Sequence, residues 1–457
     1  MGRMFHVVMV STMILGCGGQ LKPLPPVQRP LAGYWFDTYR KVRIASNDHT
    51  LLAGAAKVQL TPTKRGVRIA GHGLYRKHSK GVLDDIYARV LYLDTGDEAV
   101  AFVSLDFIGF MHHRVDRIRS RVTRKYPHSI VIASTHNHDG PDTEGLWGEP
   151  VLGFLPFSCG VDRYYLDWVE KKVAKAILRA VYRAKPATLE VGRFKIPPGY
   201  VQNVREPKDV PLDALVLRAQ ARDGSTIGTI VNFGNHAEAL QDKNRWLSSD
   251  WPGTLCRTVD EALGGVTLFF SAPAGGMLEP ANSPDDPEPQ RIEFMRRHGG
   301  VLAEGTIKTV LTSMTRVKNP RVKIFSTKIL LPLDPGGTVA LVIRLGLLEP
   351  RPMDNGSIIT EAELVDLGQV KLLTIPGEIS PEVGRMIKAK FNMKDFDAKN
   401  LLLLTLGLDH LGYMVSPRQY SDPRFDYERS MSLGPKTTTL VLQAVDTLLE
   451  MDHTRDN

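Results

Sequence analysis

The sequence predicts an α/β fold, a single large domain of mixed β-sheets flanked by helices. Three observations point there. Apolar runs of strand length alternate with longer segments whose apolar residues recur at helical spacing. No internal repeat or low-complexity tract interrupts that alternation. With 457 residues, 42% of them hydrophobic and 24% charged, the chain has globular composition and ample length for a buried core.

The first 50 residues read as a targeting segment and tether. Arg3 precedes an apolar run over 5–15, which ends in Ile14-Leu15-Gly16-Cys17. A basic start, a short apolar core and a small residue before the cut mark a secretory signal rather than a membrane span. The Ile-Leu-Gly-Cys ending resembles a bacterial lipobox. It implies a signal peptide over 1–16, acyl chains on Cys17 and a Pro-rich tether over 17–50. The expected location is the bacterial cell envelope, anchored by lipid at the outer membrane, with the folded domain over 51–457.

Within that domain, strands are expected over 53–60, 88–94 and 98–106, followed by a basic helix over 114–124. An apolar strand over 129–134 and a long amphipathic helix over 162–183 come next. Segments 214–219 and 227–233 flank Arg222-Asp223-Gly224 and read as a hairpin. A helix over 251–263, a strand over 265–270, a Pro- and acid-rich loop over 280–291 and a helix over 292–314 follow. Later strands are expected over 322–331, 338–345 and 363–375, and helices over 381–391 and 437–449.

The net charge of +8 is scattered among nearly as many acids. No basic stripe or aromatic-interleaved Lys/Arg patch forms, which argues against nucleic acid as a partner. A mild preference for anionic membranes or acidic substrates remains compatible with the charge. The cysteines are Cys17, Cys159 and Cys256, with no Cys-x-x-Cys, so thiolate metal sites and redox motifs are not expected. Cys159 and Cys256 could pair in an oxidising compartment, and spacing alone does not decide it.

Three strand ends carry side chains suited to a metal. The first is Thr135-His136-Asn137-His138-Asp139-Gly140-Pro141, where histidines at i and i+2 project to one side of an extended segment. The second is Asn232-Phe233-Gly234-Asn235-His236, and the third Ile375-Pro376-Gly377-Glu378. Ligands in α/β folds gather at such carboxyl ends, and the repetition weighs more than any one site. Asp106 and Asp250 are candidates to orient a ligating imidazole, or equally cap and loop acids. His72, in a Gly-rich turn where Gly71 and Gly73 serve tight backbone geometry, is placed near the pocket. His410 reads as a loop residue or as support for Tyr413. His112 and His113 are expected to be solvated, and His298 and His453 to lie on the surface.

These motifs resemble the neutral ceramidase family, in its N-terminal catalytic domain. The family's Thr-His-x-His-x-Gly-Pro is matched by 135–141, and its Asn-x-x-x-His by Asn232 and His236. Its Pro-x-Glu with a following Gly-Arg is matched by Pro376, Glu378, Gly384 and Arg385. Gly412-Tyr413, Tyr427-Glu428 and Gly434-Pro435 continue the series in the same order. The resemblance implies a Zn2+ ion held by His136, His236, Glu378 and Tyr413, with His138 beside it as proton shuttle or substrate contact. It further implies that Arg205 and Tyr427 stabilise developing negative charge. The activity implied is zinc-dependent hydrolysis of an amide or ester acyl bond, using zinc-bound water, on a lipid-like or cell-envelope substrate.

Two departures qualify it. Where the family has Gly-Asp-x-Ser-Pro, this chain has Gly275-Gly276-Met277-Leu278-Glu279-Pro280, so Leu278 stands at the serine position. The sequence also has no counterpart of the family's C-terminal immunoglobulin-like domain. A mechanism that needs the serine is excluded, whereas zinc-assisted attack by water is not. The departures fit a different acyl specificity, or a catalytically inactive ligand-binding lipoprotein on the same fold.

Overall fold

In a computed structural model, residues 51–456 are described, apart from 65, 73–76, 123–126, 149, 152–154 and 157–158. The expected signal peptide, Cys17 and the tether lie outside the described residues.

The larger sheet has nine strands. In spatial order its main path runs Val266–Ser271, Thr226–Phe233, Asp213–Ala221, Lys185–Lys195, Leu52–Gln59, Tyr87–Asp94, Ala99–Leu105 and Ser129–Ser134, with Thr315–Arg316 added beside Lys185–Lys195. Its inner pairs are antiparallel, whereas the outermost pair at each end is parallel. A parallel pair needs a crossover longer than a turn, and helices supply it. His112–Val122 links one pair and Asp250–Leu263 the other. The smaller sheet orders Lys323–Pro332, Ser357–Asp366, Lys371–Ile375 and Leu401–Thr405, with Met353–Asp354 beside Ser357–Asp366. It too ends in a parallel pair, crossed over by Pro381–Asn392. Ser380 caps that helix by accepting from the Val383 amide, and Pro381 starts it with a preset φ.

Alternation along Tyr87–Asp94 shows where the core sits. Leu91 and Leu93 pack with Phe102, Leu217, Ile230, Phe270 and Leu402 in one apolar layer. Val90 and Tyr92 face the opposite layer, under helices His112–Val122 and Arg163–Tyr182. The large sheet curls until its two ends touch: Ser104 Oγ donates to the Phe269 carbonyl at 2.6 Å. The smaller sheet docks at that junction, where Asn232 Nδ2 donates to both Phe270 O and Leu403 O at 3.0 Å. All three parallel pairs therefore bring their carboxyl ends to one place.

Most expected elements are found within a few residues, including the hairpin at 222–224. Segment 338–345, expected as a strand, is instead the helix Thr338–Arg344. Its β-branched composition reads as strand, but Val339, Val342 and Ile343 recur at helical spacing and turn toward one cavity. The 363–375 segment is a hairpin, Ser357–Asp366 paired with Lys371–Ile375 around Gly368. Cys256 is buried and free, so it does not pair with Cys159.

Candidate metal centre

Each parallel pair delivers two groups to the centre from its two carboxyl ends. The first gives Ile108 and His136, the second His236 and Leu278, the third Glu378 and Tyr413. Two small ladders set their register. Asn137 bridges Ala237 in parallel, which lays the His136 segment alongside the His236 segment. Glu378–Ile379 pairs in parallel with Tyr413–Met414, with Glu378 opposite Tyr413.

The side chains converge. His136 Nε2 lies 3.1 Å and His236 Nε2 3.3 Å from the same oxygen, Glu378 Oε2. His138 Nε2 lies 3.3 Å from His136 Nε2, so the two histidines do share a side. His136 itself is not extended: its φ of 62° is a conformation that costs an L-residue free energy and that clusters at functional sites. His136 Nδ1 is 3.0 Å from the Ile108 carbonyl and His236 Nδ1 2.9 Å from the Leu278 carbonyl. Only an Nδ1–H can donate to a carbonyl, so both rings turn an Nε2 lone pair toward Glu378. Yet neither His236 Nε2 nor Glu378 Oε2 makes a hydrogen bond, although both are buried. Two lone pairs and a carboxylate oxygen crowded in this way repel unless a cation lies among them. Zinc bonds of about 2.0–2.2 Å in a tetrahedron separate ligand atoms by roughly 3.3 Å, which these spacings match. The residues present therefore fit a metal ion.

The electrostatics agree. Burial alone would raise the Glu378 carboxyl, but His136, with His236 and His410, outweighs it and holds the group well below the usual carboxylate range. Burial opposes charging His236, yet Glu378 and Glu238 push it up to about 9. The centre thus demands positive charge. Burial, and then the neighbouring His136 and His72, holds His138 well below the ordinary histidine value, which keeps it neutral. Tyr413 is buried and its ring centroid lies 5.8 Å from that of Tyr427. Burial, followed by the charge of Glu378, raises its phenol well above 10.

Other expected residues fall elsewhere. Asp106 is taken up by Arg89, whose Nη1 lies 2.7 Å from both carboxylate oxygens. Asp250 accepts from the backbone amides of Leu240 and Trp251. Neither orients an imidazole; backbone carbonyls do, and any residue type offers one. Arg205 Nε donates at 2.8 Å to the buried Glu428, the residue that follows the half-exposed Tyr427. His298 is buried rather than superficial, edge-on to Trp251 and beside Phe294, and burial pushes it down to about 3. His112 and His113 are half-buried, with His113 Nε2 3.3 Å from Glu349.

Glu144 and Glu238 escape sequence reasoning, and His410, expected as a loop residue or as support for Tyr413, supports Glu378. His410 Nε2 lies 3.1 Å from Glu378 Oε1, and its Nδ1 contacts Glu144 Oε1, so a Glu144–His410 pair fixes the carboxylate's second oxygen. Glu144 lies only a few residues past the His-x-His segment, but nothing in its spacing marks it. Glu238 follows His236 and reaches His138 Nδ1 at 3.3 Å.

Above the centre opens a cavity of about 810 Å³. His136, His138, Glu378 and Tyr413 form its polar end, while Ile108, Leu146, Trp147, Val342, Leu348 and Met431 line an apolar wall. Helix Thr338–Arg344 forms part of that wall, and its Leu341 is 54% exposed on the other side.

Fold and centre together define a mixed α/β protein with a buried imidazole–carboxylate cluster able to hold a metal ion at the foot of an apolar cavity. Among solved structures, the chain is similar to neutral ceramidase from Pseudomonas aeruginosa, with TM-score 0.73 and 17% identity over 89% of this chain and 75% of that one. It is equally similar to a ceramidase complexed with C2, with TM-score 0.72 and 17% identity over 89% and 76%. No protein-family profile matches the chain. The chain therefore has the neutral-ceramidase fold, as the motifs implied.

Proposed function

We propose that the protein is a zinc-dependent hydrolase of an amide or ester acyl bond in a lipid-like substrate. The observation that carries this reading is the convergence of His136 Nε2 and His236 Nε2 on Glu378 Oε2, without hydrogen bonds, at the base of the apolar cavity. His136, His236, Glu378 and Tyr413 would hold the ion. A zinc ion held there would supply Lewis acidity toward an acyl carbonyl and would lower the pKa of a bound water to about 7.

The chain's own groups do the rest. The apolar wall binds a hydrocarbon chain and directs its carbonyl to the polar end. Tyr427, which lines the cavity, donates its hydroxyl to the oxyanion, an effect commonly worth about 3 kcal/mol. Arg205 adds positive charge while holding Glu428. His138 carries a proton at Nε2 toward the reaction space for the leaving group. Leu278 offers no hydroxyl; its carbonyl instead orients His236. The substrate is an acyl lipid of the cell envelope, reached from a membrane to which Cys17 tethers the domain. No described helix is long and apolar enough to cross a membrane.

The test is hydrolysis of a panel of N-acyl amides and acyl esters, with and without a chelator. Turnover abolished by chelation and restored by zinc is expected. Metal-independent turnover, or metal bound with no turnover on any acyl substrate, would overturn the reading.

A further inference from the structure

The ladder that aligns His136 with His236 has a second consequence. Because Asn137 bridges Ala237 in parallel, the next residues, His138 and Glu238, two positions past His136 and His236, also face each other. Their separation is 3.3 Å from His138 Nδ1 to Glu238 Oε2. His72 completes a triangle, with Nδ1 3.6 Å from the same oxygen and its ring 5.0 Å from that of His138. One ligand atom from each of the three lies within 4.8 Å of the others.

The loop bearing His72 is pinned there. The Ala70 amide donates to Gly140 O at 2.9 Å, and Ile69 bridges Pro141. Gly71 packs so closely on the His138 ring that a Cβ would come within 2.8 Å of its Cγ and Nδ1. Buried His138 Nδ1 makes no hydrogen bond although the Glu238 carboxylate stands beside it, and the other ring nitrogen of His72, Nε2, makes none either. Glu238 is buried among further acids, Glu279, Glu378 and Asp139. Lys77 feels the charge of Glu238 together with that of Asp139 and Asp242, and its Nζ makes no hydrogen bond either. Neither His72 nor Glu238 belongs to the motifs that carry the family resemblance.

We infer that His72, His138 and Glu238 bind a second divalent transition-metal ion, so that the cavity floor holds two metals with His138 between them. Two imidazoles and a carboxylate are a donor set that zinc and its first-row neighbours accept, with a position left for water. With Nδ1 on this ion, the single proton of His138 sits on Nε2, the edge turned to His136 and the first centre. The second ion thereby fixes the tautomer that the proposed hydrolysis uses. The site stands on its own geometry, and only this consequence rests on the hydrolase reading.

The experiment counts zinc by mass spectrometry in dialysed wild-type protein and in Glu238→Gln, His72→Asn and His236→Ala. Two ions per chain, falling to one in Glu238→Gln and in His72→Asn, is the expected result. One ion that survives both substitutions and is lost in His236→Ala overturns the second site and leaves the first intact. One ion lost in Glu238→Gln and kept in His236→Ala upholds the second site and removes the first. No ion overturns both. Calorimetric titration of zinc into chelator-stripped protein is the second measurement: two equivalents, or one that Glu238→Gln abolishes, support the inference, and one that Glu238→Gln keeps, or none, overturns it.

Discussion

Gly109 shows how little room the centre leaves at the level of single residues. A Cβ there would meet Glu144 Oε1 at 2.1 Å and His410 Nδ1 at 2.3 Å, the pair that steadies Glu378. Gly109→Ala must displace one of them, and misplacement near the chemistry is costly. We expect acyl hydrolysis to fall by at least about tenfold with zinc retained; unchanged turnover would refute the role given to that pair. Glu349 lies further out, with its carboxylate on Arg114 and His113. Burial would raise its pKa, but those cations outweigh it and push it down to about 2 from 4.5. The folded value lies below the unfolded one, so its contribution is complete above pH 4.5 and is lost as pH falls from 4.5 toward 2. Denaturant titrations of wild type and Glu349→Gln should differ near neutrality and converge across that window. A difference independent of pH would contradict the ion pair.

At the scale of elements, the centre depends on three strand–helix–strand units keeping their ends in register. Asn232 clamps two of them, with one buried amide serving both Phe270 O and Leu403 O. Asn232→Ala leaves two buried carbonyls short of a donor, at a cost of about 2–4 kcal/mol. Urea unfolding measures it, and a loss under about 0.5 kcal/mol would show that the units dock by apolar packing alone. This level was also where the sequence was hardest to read. The ends carrying His136, His236 and Glu378 stood out because buried, largely apolar strands run into them. Lys185–Lys195 escaped notice because Pro186 and Gly192 interrupt its alternation, though Ala187, Leu189 and Val191 all point into the core. Leu401–Thr405 is too short a run of leucines to declare a strand by periodicity. Helix Thr338–Arg344 was misread because local β-propensity yields to the cavity it covers. Sequence placed His72 near the pocket and offered His410 as support for Tyr413, but Glu144 and Glu238 gave no signal, because only the tertiary fold brings these loops together.

For the whole molecule, the curled sheet, the smaller sheet and the apolar cavity serve one arrangement: a polar floor that demands positive charge beneath a wall suited to a hydrocarbon chain. The fold is that of neutral ceramidase, while His72 and Glu238 lie outside the motifs that carry the resemblance. Everything said of hydrolysis rests on His136, His236, Glu378 and Tyr413 sharing one ion. The most direct measurement is an anomalous difference map, collected at the zinc edge from crystals of the purified protein. The account predicts a peak within about 2.0–2.3 Å of His136 Nε2, His236 Nε2, a Glu378 oxygen and the Tyr413 hydroxyl. A folded, zinc-replete crystal with no peak among those four groups would contradict it.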